Sequence, residues 1–469
     1  MENKYKWLNE QMDSNLIPVI EDFIRIPNQS RAFDPEWETN GLQQKACHFC
    51  MDWAKKQDVK GLTLELIEEK GRTPVVLGII EAPTKDKPTV LMYGHIDKQP
   101  PLLGEWDEGL HPYEPVTRDG KLYGRAGADD GYAFFASLLM IKALQRNGVD
   151  HNRVVLYFET DEESGSKDLI YFLKQRQEQI GTPSLVICLD SGCCDYEHLC
   201  LTTTLRGVCN FSLKCSLTKE GVHSGSSSGI IPDSFRVLKE LIDRFEDPKT
   251  GRLPTDLYVN VPSDKYDQAE SLIKEMGGKI DFGFPFLEGV EPMEQDGFKQ
   301  YMNRIWNPTL TYIGVEGIPD ISQCGNVLRP HTTLKLSVRL PPTLKKEKAE
   351  EVIKKFFTEN KALYNAKVEC EIDGVGQGFN SPAFDKKLKA LIDEAGKMSF
   401  GKESLYYGEG GSIPFINELA TMYPDSQFIV TGVLGPQSNA HGPNEFLHLP
   451  FMKKLIVSLT RVLEGYAEF

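Results

Sequence analysis

Four short apolar runs rich in β-branched residues constrain the fold of this chain more than any other feature of its sequence. They cover residues 75–80, 89–93, 154–158 and 185–189. Runs this short and this apolar are typical of strands buried on both faces. Amphipathic helical patterns separate the runs, and one of them begins near Asp130. This part of the chain is therefore predicted to be an α/β domain with helices flanking a mostly parallel sheet.

In the middle of the chain the pattern changes to alternation between apolar and polar residues. The clearest examples are residues 210–217 and 333–340, with a further run at 367–372. Such alternation is typical of antiparallel strands that have one buried and one solvated face. Two helical patterns, 233–245 and 344–360, accompany these strands. The order of the elements predicts an inserted α+β domain of the β-α-β-β-α-β, ferredoxin-like type.

A chain of 469 residues exceeds the size at which a single hydrophobic core keeps growing, so two domains are expected. The α/β pattern returns after the alternating region, with a helical segment near 384–395 and an apolar run at 428–433. Residues 1–205 and 376–469 are therefore predicted to form one α/β domain. The inserted domain is predicted to cover residues 206–375.

The charge of the chain argues against two classes of partner. Its formal net charge is −15, so nucleic acids and anionic membranes would be repelled over most of the surface. No segment approaches the roughly 18 consecutive apolar residues that a membrane span needs. The start of the chain lacks the pattern of a signal peptide, and ten cysteines are spread along it without a disulfide framework. We therefore expect a cytoplasmic protein.

Two pairs of cysteines have spacings that raise the question of metal binding. Cys47 and Cys50 have C-x-x-C spacing, but they lie in a helical pattern and no second pair completes a zinc site. Cys193 and Cys194 are adjacent shortly after Asp190, but vicinal cysteines rarely chelate one metal together. Both pairs are interpreted as packing residues.

Metal-binding side chains follow three of the predicted strands. His95 follows the second run, Glu163 the third and Asp190 the fourth. In an open parallel sheet, functional groups collect outside the carboxyl ends of the strands. Asp129 lies in a glycine-rich loop before a helix, and His441 follows the last apolar run, so both can reach the same edge. These five residues are the predicted ligands of a metal site.

The mixture of imidazole and carboxylate groups suits zinc, manganese or cobalt, and the lack of thiolates disfavours a structural zinc site. Asp97, two residues after His95, can accept the ring N–H that does not face the metal. Adjacent Glu162 and Glu163 cannot point the same way in an extended chain, so one can bind metal while the other faces the substrate. The remaining histidines lack such a setting and are interpreted as structural: His48, His111, His151, His198, His331 and His448.

In order and spacing, these motifs resemble those of the M20 metallopeptidase family, in particular its carnosinase-like dipeptidases and its glutamate carboxypeptidase branch. The resemblance spans nearly the whole chain. It rests on seven motifs, which are His95-Ile96-Asp97, Gly124-Arg125 to Asp129-Asp130, Glu162-Glu163-Ser164-Gly165-Ser166, Asp190, Gly221-Val222-His223-Ser224-Gly225, Gly410-Gly411-Ser412-Ile413-Pro414 and Ala440-His441.

The resemblance implies a hydrolase with two divalent metal ions that cleaves the amide bond of dipeptides or small peptide-like substrates through a water between the metals. Zinc is favoured, with manganese and cobalt as alternatives. By this resemblance one metal would bind His95 and Asp190, the other Glu163 and His441, and Asp129 would bridge both. The family's catalytic domain is split by a lid domain that also forms a homodimer.

The resemblance also implies roles for residues that do not bind metal. Glu162 would be the general base, and Asp97 would hold the histidine ligand that precedes it. His223, in the lid domain, would stabilise the oxyanion in the partner subunit's active site. A cis peptide bond is implied between Asp129 and Asp130.

Substrate contacts implied by the resemblance fall on four residues, Arg339, His223, Gly411 and Ser412. This sequence departs from the family pattern at two positions near the site. Gly131 stands where the family often has lysine, and Gly408 stands where it often has arginine. Asp190 is aspartate where acylase-type relatives tend to have glutamate, which favours a dipeptidase.

Two alternatives remain at this point. An N-acyl-amino-acid deacylase of the same fold would differ only in pocket residues that the sequence does not place. A catalytically inactive binding protein is disfavoured, because Glu162, His223 and all five predicted ligands are present.

Overall fold

The structure is a computed structural model that describes residues 4–280, 283–284 and 286–469. Its strands in chain order are β1 (Leu62–Ile67), β2 (Val75–Ile80), β3 (Thr89–His95), β4 (Val116–Arg118), β5 (Lys121–Tyr123), β6 (Arg153–Glu159), β7 (Pro183–Cys188), β8 (Cys200–Leu205), β9 (Gly207–Ser216), β10 (Val222–His223), β11 (Thr309–Glu316), β12 (Val327–Leu328), β13 (His331–Leu340), β14 (Lys367–Gly376), β15 (Phe379–Asn380), β16 (Leu405–Glu409), β17 (Gln427–Val430) and β18 (Phe446–His448).

The α-helices are α1 (Lys6–Gln11), α2 (Ile17–Ile24), α3 (Leu42–Lys56), α4 (Ala133–Arg146), α5 (Leu169–Gln175), α6 (Gln177–Ile180), α7 (Ser224–Ser227), α8 (Ser234–Phe245), α9 (Ser263–Glu275), α10 (Gly297–Ile305), α11 (Lys346–Glu359), α12 (Lys386–Phe400), α13 (Pro414–Met422) and α14 (Leu449–Tyr466). A π-helical turn, Met12–Leu16, joins α1 to α2, and a 3₁₀ turn, Glu162–Ser164, follows β6. Among the described residues, none of the helices has both the length and the apolarity that crossing a bilayer needs.

The central sheet has the strand order β1-β2-β6-β3-β7-β17. Strands β6, β3, β7 and β17 run parallel to one another, whereas β2 is antiparallel to both of its neighbours. All four predicted strands lie in this sheet, and the prediction of a mostly parallel sheet is confirmed. The antiparallel direction of β2 was not predicted, because an apolar run does not reveal the direction of a strand.

Side chains of the central strands alternate between two hydrophobic cores. In β3, Val90 and Met92 pack in the core that contains α4 and α14. Leu91 and Tyr93 pack in the core that contains α5 and α13. Helices therefore cover both faces of the sheet, which explains why its strands are apolar at nearly every position.

The helix predicted near Asp130 begins at Ala133 instead. Most of its side chains are buried, as expected for a helix that is apolar on several sides. It is followed by Gly148 with a φ of 70°, the left-handed conformation that is common after a helix C-terminus. Asp130 and Gly131 therefore belong to the loop that carries Asp129. Cys47 and Cys50 are buried in α3, as predicted.

The second large sheet is antiparallel, with the strand order β11-β13-β9-β14. Helices α8 and α11 pack on it around a separate hydrophobic core that includes Phe211, Leu241 and Ile353. The element order β9-α8-β11-β13-α11-β14 is the predicted ferredoxin-like one. Helices α9 and α10 were not predicted. They lie in the same stretch of sequence, but their Leu272 and Ile305 are buried in the core beside the central sheet.

Candidate metal centre

The predicted ligands meet at one edge of the central sheet. His95 is the last residue of β3, Glu163 lies in the 3₁₀ turn after β6, and Asp190 lies two residues beyond β7. Because these three strands are parallel neighbours, their carboxyl ends lie side by side. The loop before α4 adds Asp129, and the segment after β17 adds His441.

Two groups of potential ligands share Asp129. In the first, His95 Nε2 lies 3.3 Å from Asp129 Oδ1 and 3.8 Å from Asp190 Oδ1. In the second, His441 Nε2 lies 3.1 Å from Asp129 Oδ2 and 3.3 Å from Glu163 Oε2. Within each group the donor atoms lie within 4.8 Å of one another. The two oxygens of Asp129 thus face different groups, an arrangement suited to a bridging carboxylate.

Acidic groups dominate the electrostatics of this edge. Burial, together with neighbouring carboxylates, raises the pKa of Glu163 and that of Asp190 well above the usual range. Burial alone would lower the pKa of His95, but the Asp190, Asp129 and Asp97 carboxylates outweigh it and raise that pKa. The His441 side chain is 59% exposed, so this edge is open to solvent on one side.

Divalent cations fit the residues that are present. The Glu163 Oε1 atom is buried and has no hydrogen-bond partner within the described parts of the chain. Burying several carboxylates together is costly unless positive charge compensates them. Two imidazoles and three carboxylates, without thiolates, form a donor set that zinc, manganese and cobalt accept.

Asp97 contacts both the first ligand and the turn that carries the glutamates. His95 Nδ1 lies 3.1 Å from the backbone oxygen of Asp97 and 3.4 Å from its Oδ1. The Asp97 carboxylate also accepts the backbone N–H groups of Glu162, at 3.2 Å, and Glu163, at 3.1 Å. The sequence suggested the contact with His95 but not the contacts with the turn. Asp97 therefore fixes two neighbouring strand ends relative to each other.

Glu162 has the acid–base property that a proton carrier needs. Burial raises the pKa of its carboxyl to about 7, and the Asp129 and Asp97 carboxylates act in the same direction. A carboxyl with a pKa near neutrality can accept a proton in one step and donate it in the next.

Glu445 is a part of this site that the sequence did not reveal. Its buried Oε2 accepts hydrogen bonds from Arg125 Nη1 at 2.7 Å and from the backbone N–H of Ala126 at 3.1 Å. Its Oε1 lies 3.3 Å from the backbone nitrogen of Asp129. Glu445 thereby joins the loop of Asp129 to the segment of His441. The available signal was that Arg125 lies inside a motif already singled out and that Glu445 lies four residues after His441.

Three of the four predicted substrate-binding residues, Arg339, Gly411 and Ser412, come together at the loop after β16. Arg339 Nη1 donates to Ser412 Oγ at 2.8 Å. The backbone oxygen of Gly411 accepts the N–H of Arg206 at 3.0 Å, and Arg206 Nε donates to the oxygen of Gly410, also at 3.0 Å. Arg206 was not predicted, and it holds this loop from the junction of β8 and β9.

Packing explains why this chain has Gly408 at the position where the family often has arginine. A Cβ at Gly408 would lie 2.9 Å from Ile305 Cδ1, and the backbone N–H of Gly408 donates to Tyr301 Oη at 2.6 Å. Thr204 of β8, whose Oγ1 would lie 2.4 Å from that Cβ, and helix α10 therefore occupy the space of a side chain at this position. The same helix provides Arg304, which pairs with Glu409 in the same strand.

Gly131, the second departure from the family pattern, is also required by its surroundings. A Cβ there would lie 2.3 Å from the backbone oxygen of Ala126 and 2.6 Å from the ring of Phe23. The peptide bond between Asp129 and Asp130 is cis, as the resemblance implied.

His223 is remote from the predicted metal ligands in the sequence, and the residues that it contacts are different ones. It is exposed at the end of β10, where it pairs with Val327 of β12, and its Nδ1 accepts the N–H of Gly225 at 3.1 Å. None of the groups of potential metal ligands found among the described residues includes it.

Comparisons with known proteins identify the family of this chain. A family model, peptidase family M20/M25/M40, matches residues 91–465. A cysteinylglycine-S-conjugate dipeptidase of Corynebacterium striatum is 30% identical over 383 residues, which cover 79% of this chain and 79% of that protein. A β-Ala-His dipeptidase of Mus musculus is 27% identical over 274 residues, which cover 55% of this chain and 53% of that protein.

Solved structures share the fold. Human carnosine dipeptidase 1 matches with a TM-score of 0.77 at 18% identity, over 100% of this chain and 99% of that one. The M20 family metallo-carboxypeptidase Sso-CP2 of Sulfolobus solfataricus matches with a TM-score of 0.78 at 20% identity, over 97% of this chain and 100% of that one. The prediction of an M20-type metallopeptidase is thereby confirmed, and the chain belongs to peptidase family M20/M25/M40.

Proposed function

We propose that this chain is a dinuclear metallodipeptidase that hydrolyses the amide bond of dipeptides or small peptide-like substrates. The observation that carries this proposal is the pair of ligand groups that share Asp129. The names of the relatives from Corynebacterium striatum and Mus musculus support dipeptides as the substrate class.

Each chain would hold two divalent ions, with zinc favoured over manganese and cobalt. His95 and Asp190 would hold one ion, Glu163 and His441 the other, and Asp129 both. When bound, such ions acidify a water molecule and polarise a carbonyl group.

Glu162 would move the proton in this reaction. Its carboxylate takes a proton from the attacking water and passes it to the leaving nitrogen, and burial, by raising the pKa of Glu162, makes it a stronger base. The hydrogen bonds from the turn to Asp97 hold the backbone of Glu162 in place during both transfers.

Arg339, Gly411 and Ser412 would bind the carboxylate end of the substrate. The guanidinium of Arg339 can form two parallel hydrogen bonds with a carboxylate, and its present partner is a neutral hydroxyl that an anion can replace. Arg304 and Glu409 form an ion pair beside this loop. The charges near the proposed carboxylate site would therefore differ from those in relatives that have an arginine at the position of Gly408.

Residues 206–375 would act as the lid and dimerisation domain, with the catalytic domain formed by residues 1–205 and 376–469. Strand β11 lies at the edge of its sheet, and its Tyr312, Ile313 and Val315 are about half exposed. An exposed apolar edge strand is suited to pairing with a second copy of the chain. In such a homodimer, His223 would reach the partner's site and donate to the oxyanion.

We also place the protein in the cytoplasm. Eight of its ten cysteines are buried as thiols, which fits a reducing compartment.

A panel of dipeptides and N-acyl-amino acids, run on apo-protein reconstituted with each metal in turn, tests the proposed activity. Dipeptide turnover that depends on added metal is expected. Turnover of acyl-amino acids alone would instead identify a deacylase of the same fold. No turnover with any metal would favour an inactive binding protein.

A further inference from the structure

A group of sulfur and oxygen donors lies outside the catalytic centre, in the segment between β7 and β8. The Cys194 Sγ, the Cys200 Sγ and a carboxylate oxygen of Asp195 lie within 4.8 Å of one another. Cys200 is fully buried, and Cys194 is 8% exposed. Cys193 and Cys194 were interpreted as packing residues, because the sequence does not show that the sulfur atoms of Cys194 and Cys200 lie close together in the fold.

Hydrogen bonds hold the Asp195 carboxylate in a fixed orientation. Its Oδ1 accepts the backbone N–H groups of Glu197 and His198, both at 2.9 Å. Its Oδ2 lies 2.6 Å from His198 Nδ1. A histidine that contacts a carboxylate in this way fixes it as a ligand and leaves a lone pair of Oδ2 for a cation.

A buried polar group without a partner lies in the same region. Burial raises the pKa of Tyr407 well above its usual range, and the charges of Glu409, Cys200 and Cys194 act in the same direction. The Tyr407 hydroxyl has no hydrogen-bond partner in the described part of the chain. Buried polar groups are rarely left unpaired, so a further polar species in this region would give the hydroxyl a partner.

We propose that Cys194, Cys200 and Asp195 form a further metal site, separate from the catalytic centre, for a thiophilic divalent cation of the zinc class. Two thiolates and one carboxylate suit such a cation. A tetrahedral ion with bonds of about 2.3 Å separates its sulfur ligands by roughly 3.8 Å, so the sulfur atoms need to move little. On binding, each thiol releases its proton to solvent, so two protons leave for each ion bound.

The position of this site gives it a structural role. An ion there would tie residue 194 to the first residue of β8 and close the loop that begins at Asp190. It would therefore restrict the motion of a predicted catalytic ligand without contacting the substrate.

Cadmium chloride is the probe, because cadmium bound to thiolates gives a charge-transfer band in the ultraviolet. The predicted ligands of the catalytic centre include no thiolate, so this band reports on cysteine sulfur, and the variants described next assign it to particular cysteines. Titration of the reduced full-length chain should give a band that saturates at one cadmium per chain. Absence of the band in the wild-type chain overturns the proposal, whatever the variants do.

Variants locate the site. Cys194→Ser and Cys200→Ser should lose the band, and Asp195→Asn should weaken cadmium binding by about tenfold or more. Cys193→Ser, the adjacent control, should keep it, because its sulfur is not in the group. A band that survives in both Cys194→Ser and Cys200→Ser places the metal elsewhere.

A thiol count on the unfolded chain, purified without reductant, tests the competing use of the same sulfur atoms. All ten cysteines should react. A count of about eight in the wild type that rises to about nine in Cys194→Ser would show a disulfide between Cys194 and Cys200 instead of a metal site.

Discussion

The Asp97 carboxylate accepts the backbone N–H of Glu162 at 3.2 Å, although the two residues belong to the ends of different strands. The same aspartate faces the ring of His95. A residue outside the predicted ligand set therefore fixes the relative position of a predicted ligand and the predicted base.

Asp97→Asn should lower kcat/KM and metal affinity by about 10–100-fold, because an amide provides one acceptor oxygen where the carboxylate provides two. Kinetics and metal titration measure both effects. The exposed Asp52→Asn is the matched control and should behave as the wild type. If Asp97→Asn also does so, Asp97 has no positioning role.

Glu162→Gln should keep its metal content and lose about 10²–10⁴-fold in kcat, since glutamine can accept a hydrogen bond but cannot carry the proton. Elemental analysis and steady-state kinetics on the same sample separate the two effects. The neighbouring Glu163→Gln should lose metal. Normal turnover of Glu162→Gln would remove this residue as the base.

Asp129→Ala should bind clearly fewer than two metal ions per chain, because both ligand groups lose the same carboxylate. Elemental analysis after dialysis checks this, with Asp52→Ala as the control. Full occupancy in Asp129→Ala would contradict the bridging role.

His223→Ala and Glu162→Gln should each be inactive alone and should regain partial activity when their subunits are mixed. In the mixed dimer, one site combines an intact Glu162 with an intact His223 from the other chain. Activity is measured after the formation of heterodimers has been verified. Verified heterodimers without activity would place His223 outside the partner's site.

Glu445→Gln should destabilise the fold by about 3–5 kcal/mol, because it leaves the buried Arg125 without its counter-charge. Denaturant unfolding measures the change. Glu394→Gln, which breaks the surface pair with Arg461, should cost about 1 kcal/mol or less. Equal decreases in the free energy of unfolding of the two variants would show that the buried pair stabilises the fold no more than the surface pair does.

Local patterns were sufficient for most of the central sheet and for the placement of the predicted ligands at one edge. The apolar runs identified five of its six strands, and the side chains that follow three of them, His95, Glu163 and Asp190, lie where parallel strands end. The reason is that parallel strands bring their carboxyl ends to one edge whatever their order in the sheet.

Those local patterns do not predict contacts between residues that are far apart in the sequence. Glu445 contacts Arg125 across 320 residues of sequence, and Arg206 holds the backbone of Gly410 across 204. Glu445 and Arg206 belong to no periodic pattern and to none of the seven motifs. Their partners are decided only when separate segments pack against each other.

The sequence by itself thus determined the fold class, the family and the set of predicted ligands, because strand pattern and motif spacing are local properties. Only the tertiary structure decided which oxygen of Asp129 faces each histidine, how Asp97 joins two strand ends, and that Cys200 returns to Cys194. These relationships depend on distances between segments that are remote in the chain, and such distances are fixed by packing.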